Sequence, residues 1–217
     1  MKKTVLTLIL CLAAMLSAGS RGFAQTSSDV GTWLSAQAVK SWGGAYAMAR
    51  LEHRTFENMG ATECWFAMAG LGYRFAPWLK GDVSYEFWKI PASGNATAQK
   101  AVFSLTGTLQ REGLAVSLRE KYELAFAEGS SSPSGTLRTR LRAQYAIPSS
   151  VFTPYVMVEY FNGFSGSLWQ RSLHYAGTEI RLSKHHSLDF FYMYHLFPKG
   201  SEISCCHLLG AGYILSL

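Results

Sequence analysis

From Leu137 to Ile147 polar and apolar residues alternate with a period of two: Arg138, Arg140, Arg142 and Gln144 fall between Leu137, Thr139, Leu141, Ala143, Tyr145 and Ile147. An extended strand sends such a sequence to two faces, one apolar and one cationic. The same alternation recurs along the chain. Val83, Tyr85 and Phe87 oppose Asp82, Ser84 and Glu86, and Phe103, Leu105 and Leu109 oppose Ser104, Thr106, Thr108 and Gln110. Between Leu188 and Leu196, Leu188, Phe190, Tyr192 and Tyr194 share one face while Asp189, Phe191, Met193 and His195 share the other. These segments are close to the roughly 9–11 residues that a tilted strand needs to cross a bilayer. With apolar side chains facing lipid and charged ones inside, the pattern predicts an all-β protein, an antiparallel up-and-down transmembrane β-barrel of about 10 to 12 strands.

The start of the chain agrees with export. Lys2 and Lys3 precede an apolar run from Thr4 to Leu16, and small residues lead to Ala24. This is the layout of a cleaved signal peptide, and the run falls short of the ~20 residues of a helical span. The expected organisation is therefore a leader, residues 1–24, and a barrel, residues 25–217. Cys11 is not expected to carry lipid, because Leu10 stands where a small residue is needed.

Turn-like links near 41–44, 76–78, 111–113, 148–150 and 183–186 alternate with longer polar links at 56–62, 91–98, 127–135, 162–168 and 198–204. Short periplasmic turns and longer external loops are the usual arrangement in outer-membrane barrels. Aromatic residues gather at segment ends: Trp42, Tyr73, Phe75 and Trp78 near the short turns, and Trp65, Phe87, Trp88, Tyr160 and Trp169 near the longer links. They fit the two girdles at which amphipathic rings settle among lipid headgroups. Gly210, Tyr213, Leu215 and Leu217 resemble the terminal signal read by the outer-membrane assembly machinery, with Leu217 in place of the commoner aromatic. Eleven candidate strands are found, beginning with 31–40, whereas single-chain bacterial barrels carry an even number. Either the first segment is a partial strand or a lumen plug, or another segment hides a second crossing.

Three blocks, 152–162 (FTPYVMVEYFN), 184–194 (KHHSLDFFYMY) and 207–213 (HLLGAGY), occur in that order after Gly31–Leu34 and the arginine ladder at 138–142. Together they resemble the Bacteroidota outer-membrane β-barrel family designated domain of unknown function 2490. The resemblance implies a barrel in the outer membrane and supplies no activity and no catalytic residues. Outer-membrane lipids and, during insertion, the assembly machinery are the expected partners.

Charge narrows the function classes. Cleavage after Ala24 removes Lys2, Lys3 and Arg21, so a net charge of +6 falls to +3. The remaining arginines lie on strands opposite acids and form no nucleic-acid patch. By phase, the lumen receives Arg50, Glu52, Arg54, Asp82, Glu86, Arg119, Lys121, Glu123, Arg138, Arg140, Arg142, Glu159, Glu179, Arg181 and Asp189. Two readings follow: either these charges pair and fill the interior as a structural plug, or a cationic stripe lines water and forms a small anion-preferring diffusion channel.

An enzyme is the alternative, an outer-membrane barrel that deacylates lipid or cleaves phospholipid. Ser172 and His174 share one strand face, but a nucleophile pair also needs an orienting acid, and Glu179 is in the opposite phase. No catalytic residue, metal site or cofactor is assigned on this basis, and the chain is expected not to be an enzyme. Cys64 and Cys206 are both in lumen phase, which makes a Cys64–Cys206 disulfide at the outer rim one reading and free thiols the other. Glu120 falls in the lipid-facing phase, so a register-shifting bulge or a subunit contact is expected there. The oligomeric state is left open.

Overall fold

Among the described residues of the computed structural model, eleven strands follow one another round a closed barrel. They are β1 (Gln25–Trp42), β2 (Ala45–Phe56), β3 (Ala61–Ala76), β4 (Leu79–Ile90), β5 (Ala96–Arg111), β6 (Leu114–Ala127), β7 (Ser134–Tyr145), β8 (Phe152–Gly163), β9 (Trp169–Arg181), β10 (His186–Lys199) and β11 (Glu202–Ser216). The structure describes residues 25–129, 132–164, 169–199 and 202–217, with side chains from Asp29 onward. The leader assigned to residues 1–24 lies outside them.

Consecutive strands are antiparallel throughout, and the wall closes where β1 lies parallel to β11. An odd number of strands joined by hairpins leaves the first and last pointing the same way, so one parallel seam is required. The wholly antiparallel expectation is corrected at that seam alone. Neither a plug nor a hidden crossing is needed, because β1 is a full wall strand of 18 residues. Passing from partner to partner from Trp42 of β1, through Gly81, Glu120, Ser172 and Cys205, returns to β1 at Ser28. The stagger of that circuit tilts every strand against the barrel axis.

The outer surface is apolar. Leu71, Val83, Tyr85, Phe103, Leu105, Leu118, Leu141, Phe190, Tyr192 and Leu209 are all exposed, while their neighbours in sequence turn inward. A continuous apolar band on a closed wall is stable in lipid and not in water. No helix of the described residues is long and apolar enough to cross a membrane; strands do the crossing. Trp42, Tyr73, Phe75 and Trp78 are exposed near the short turns, and Trp65, Phe87 and Tyr160 are exposed toward the other end. Trp88 is a correction: it is buried and stacks on Phe66 at 4.4 Å. It follows Phe87 directly, and adjacent strand residues cannot share a face.

The contrast between turns and loops is smaller than expected. Strand pairing runs through Lys199↔Glu202 and Ile90↔Ala96, well into the segments assigned to longer links. Parts of those links, at 130–131, 165–168 and 200–201, lie outside the described residues. Glu120 does face outward, but its register on both sides is unbroken, so no bulge accounts for it. It accepts a hydrogen bond from Thr139 Oγ1 at 2.9 Å instead. Bare backbone makes room for large inward rings at the seam: a Cβ on Gly210 would stand 2.0 Å from the ring of Phe191 on β10.

Candidate functional site

Alternation places the expected lumen residues on the inner face, and register decides which of them meet. Arg140 on β7 stands opposite Arg119 on β6 and Glu159 on β8, while Arg138 stands opposite Lys121 and Phe161. Glu159 is fully buried. It accepts from Arg119 Nη2 at 3.1 Å, Arg138 Nη2 at 3.0 Å and Arg140 Nη2 at 3.3 Å. Arg138 also donates through Nη1 to Glu123, which takes Lys121 and Lys100 as well, each at 3.2 Å. Lys121 reaches on to Glu86 at 3.0 Å, and Trp88 Nε1 donates to the other oxygen of Glu86 at 2.9 Å. Five cations thus share three carboxylates across five strands.

A second group lies across β2. Glu52 accepts from Arg50 Nη2 and Arg54 Nη2, both at 2.6 Å. The guanidinium of Arg54 lies 3.6 Å from the Trp33 ring centroid and 5.0 Å from that of Trp88. Aromatic faces attract such a cation most strongly where water is excluded.

Toward the longer links the lumen is filled by buried side chains, of which Phe66, Trp88 and Tyr175 also border the cavity. Phe161, Leu173, Tyr175, Met193, Cys206 and Leu208 form one buried cluster, and Cys64, Phe66 and Trp88 form another. Phe161 lies between two guanidiniums, Arg138 at 4.3 Å and Arg171 at 4.1 Å. Cys64 and Cys206 are not bridged: both thiols are free and buried. β1 and β2 stand between their strands, and each step along the wall adds about 4.8 Å, which carries the pair beyond disulfide reach.

Toward the short turns the lumen widens into a cavity of about 570 Å³ whose mouth is lined by the exposed side chains of Arg74 and Lys80. Nine cationic side chains and four carboxylates, Glu52, Asp82, Glu86 and Asp189, line it. Two of those acids are engaged by tyrosines: Tyr46 donates to Asp82 at 3.1 Å and Tyr155 to Asp189 at 3.2 Å. Among the described residues, Arg142 has no carboxylate in salt-bridge reach and lies over Tyr155 at 4.0 Å. Glu179 and Arg181 sit lower still, beside the link between β7 and β8, at a separate surface recess.

Lys100 and Arg171 complete the interior although alternation over 101–110 and attention to Ser172 leave them out. Extending those two segments by one residue brings both into the inward phase. Ser172 and His174 lie on the outer face, where Ser172 Oγ is 3.2 Å from His174 Nε2. His174 Nδ1 has no hydrogen-bond partner among the described residues. Among the described residues, no three His, Cys, Asp or Glu side chains gather as metal ligands would.

A solved structure shares the fold. The NanC porin in a rhombohedral crystal form matches with a TM-score of 0.51 at 14% identity, covering 76% of this chain and 86% of that one. The β-domain of the Bordetella autotransporter BrkA matches with a TM-score of 0.45 at 15% identity, over 78% and 82% of the two chains. Among curated proteins nothing matches the chain. The family model described as protein of unknown function (DUF2490) matches residues 30–203, and the chain belongs to that family.

Proposed function

We propose that this protein is an outer-membrane barrel whose lumen is closed to passage, a structural barrel with a blind cationic cavity rather than an open diffusion channel. The observation that carries the reading is Glu159, which has no exposed surface and is held by three guanidiniums in mid-lumen. Beside it Phe161, Leu173, Met193 and Leu208 fill the section toward the longer links. The short turns and the cavity mouth face the periplasm, as is usual for such barrels. Insertion follows cleavage after Ala24 and recognition of the terminal strand by the assembly machinery, in a Bacteroidota outer membrane as the sequence blocks resemble. Planar-bilayer recording tests the reading: the purified barrel gives no steady current, and a stable, ion-selective conductance contradicts it.

A second reading, a lipid-acting hydrolase, is favoured by the Ser172–His174 contact on the lipid-facing surface. Against it stand the burial of Ser172 and the absence of an acid on His174 Nδ1 among the described residues. Release of fatty acid from phospholipid or lipid A, lost in Ser172→Ala, would establish it; no release removes it.

A further inference from the structure

The balance of charge inside the barrel is incomplete, and the deficit is concentrated at the open end. At mid-lumen Glu52, Glu123 and Glu159 are each shared by two or more cations, and Glu86 takes Lys121 and the Trp88 indole. Glu159 alone serves Arg119, Arg138 and Arg140. Nearer the mouth Asp82 is bonded by Tyr46, and Asp189 takes Tyr155 on Oδ2 while its Oδ1 is buried without a partner among the described residues, too far from Arg142 for a salt bridge. Among the described residues Arg142 is left with an aromatic face and no carboxylate in salt-bridge reach. The Nε atoms of Arg50, Arg119, Arg138, Arg140 and Arg142, all on residues that line the cavity, are buried without a hydrogen-bond partner among the described residues, so they lie behind the cavity surface and leave the outer guanidinium nitrogens to face it. A guanidinium carries five donors in a fixed fork that matches carboxylate and phosphate oxygens. Several of them converging on one low-dielectric recess without enough acceptors is costly unless an anion completes the set.

We propose that the cavity is a binding site for a small oxyanion, a phosphate- or carboxylate-bearing solute entering from the short-turn end. Arg142 is its principal ligand and Arg140 and Arg119 lie at its floor. A volume of about 570 Å³ admits a solute of metabolite size, larger than a bare ion. Arg74 and Lys80 at the mouth draw anions in and disfavour cations. Tyr155 holds the Arg142 guanidinium from one face, which presents its edge to the ligand without the entropy cost of ordering a free side chain. The site rests on the closed-lumen reading only in being a dead end, since a through-channel could carry the same arginines.

The test uses the full-length barrel in a zwitterionic detergent, titrated with inorganic phosphate and separately with citrate at constant ionic strength. Saturable binding of at least one of them, one per barrel, is expected. Arg142→Gln weakens it tenfold or more, Arg142→Lys weakens it less, and Arg111→Gln, at the exposed end of β5 outside the cavity, leaves it unchanged. Thermal unfolding of the ligand-free Arg142 variants stays close to that of the parent, which separates a lost ligand contact from a damaged fold. Absence of saturable binding for both probes, or equal losses in the Arg111 and Arg142 variants, overturns the site. Arginine-dependent binding in a barrel that also conducts leaves the site standing and removes the closed lumen. A silent barrel that binds neither probe does the reverse.

Discussion

Two glutamates, on strands separated by β7, show how position on the wall decides what a charge does. Glu159 points inward and is the acceptor for three arginines, so Glu159→Gln leaves those guanidiniums buried with too few anions and costs about 3–5 kcal/mol. Glu120 points outward near the middle of β6 and holds only a threonine hydroxyl. In lipid a carboxylate there is a net cost, and Glu120→Leu raises stability by about 1 kcal/mol. Urea unfolding in lipid vesicles measures both; a loss of stability in Glu120→Leu would mean that this face meets protein or water instead of lipid. The inward positions of the acids and arginines are legible in the sequence because a period of two allows no other assignment once one face is known. Which arginine goes without a carboxylate is not legible. It depends on the register of β6, β7 and β8 together, which puts Glu159 level with Arg140 and leaves Arg142 level with Met157.

At the scale of the strand, boundaries and closure are where sequence and structure part. Polar residues such as Lys199 and Glu202 read as loop, yet they continue the ladder, because outside the bilayer a strand no longer needs an apolar face. Trp88 reads as a girdle residue by its place near a segment end, but its neighbour Phe87 has already taken the outward direction. The parallel seam leaves no local trace, since it is a consequence of strand number and not of any residue in β1 or β11. Its register makes a sharp prediction. With the native cysteines replaced by serine, cysteines at Leu34 and Ala211, which are partners on the outer face, cross-link on mild oxidation. Cysteines at Leu34 and Gly212 do not, because a slip of one residue turns the second thiol to the lumen.

Over the whole molecule the same alternation separates two environments, and the interior divides again into a packed half and an open one. The packed half holds aromatic and sulfur-bearing side chains, the ion-pair lattice forms the boundary, and the open half keeps an excess of cations over acids. A lumen built in this way holds solute at one end and seals the membrane at the other. The most direct measurement is labelling of single cysteines by a membrane-impermeant, charged maleimide in lipid nanodiscs, on a background without native cysteines. Ser117→Cys, in the open cavity, is modified; Leu118→Cys, facing lipid, and Val102→Cys, on the inner face of the packed half, are not. Modification at 118 would place the outer wall in water, and modification at 102 would show a lumen open to solvent through the half described as sealed.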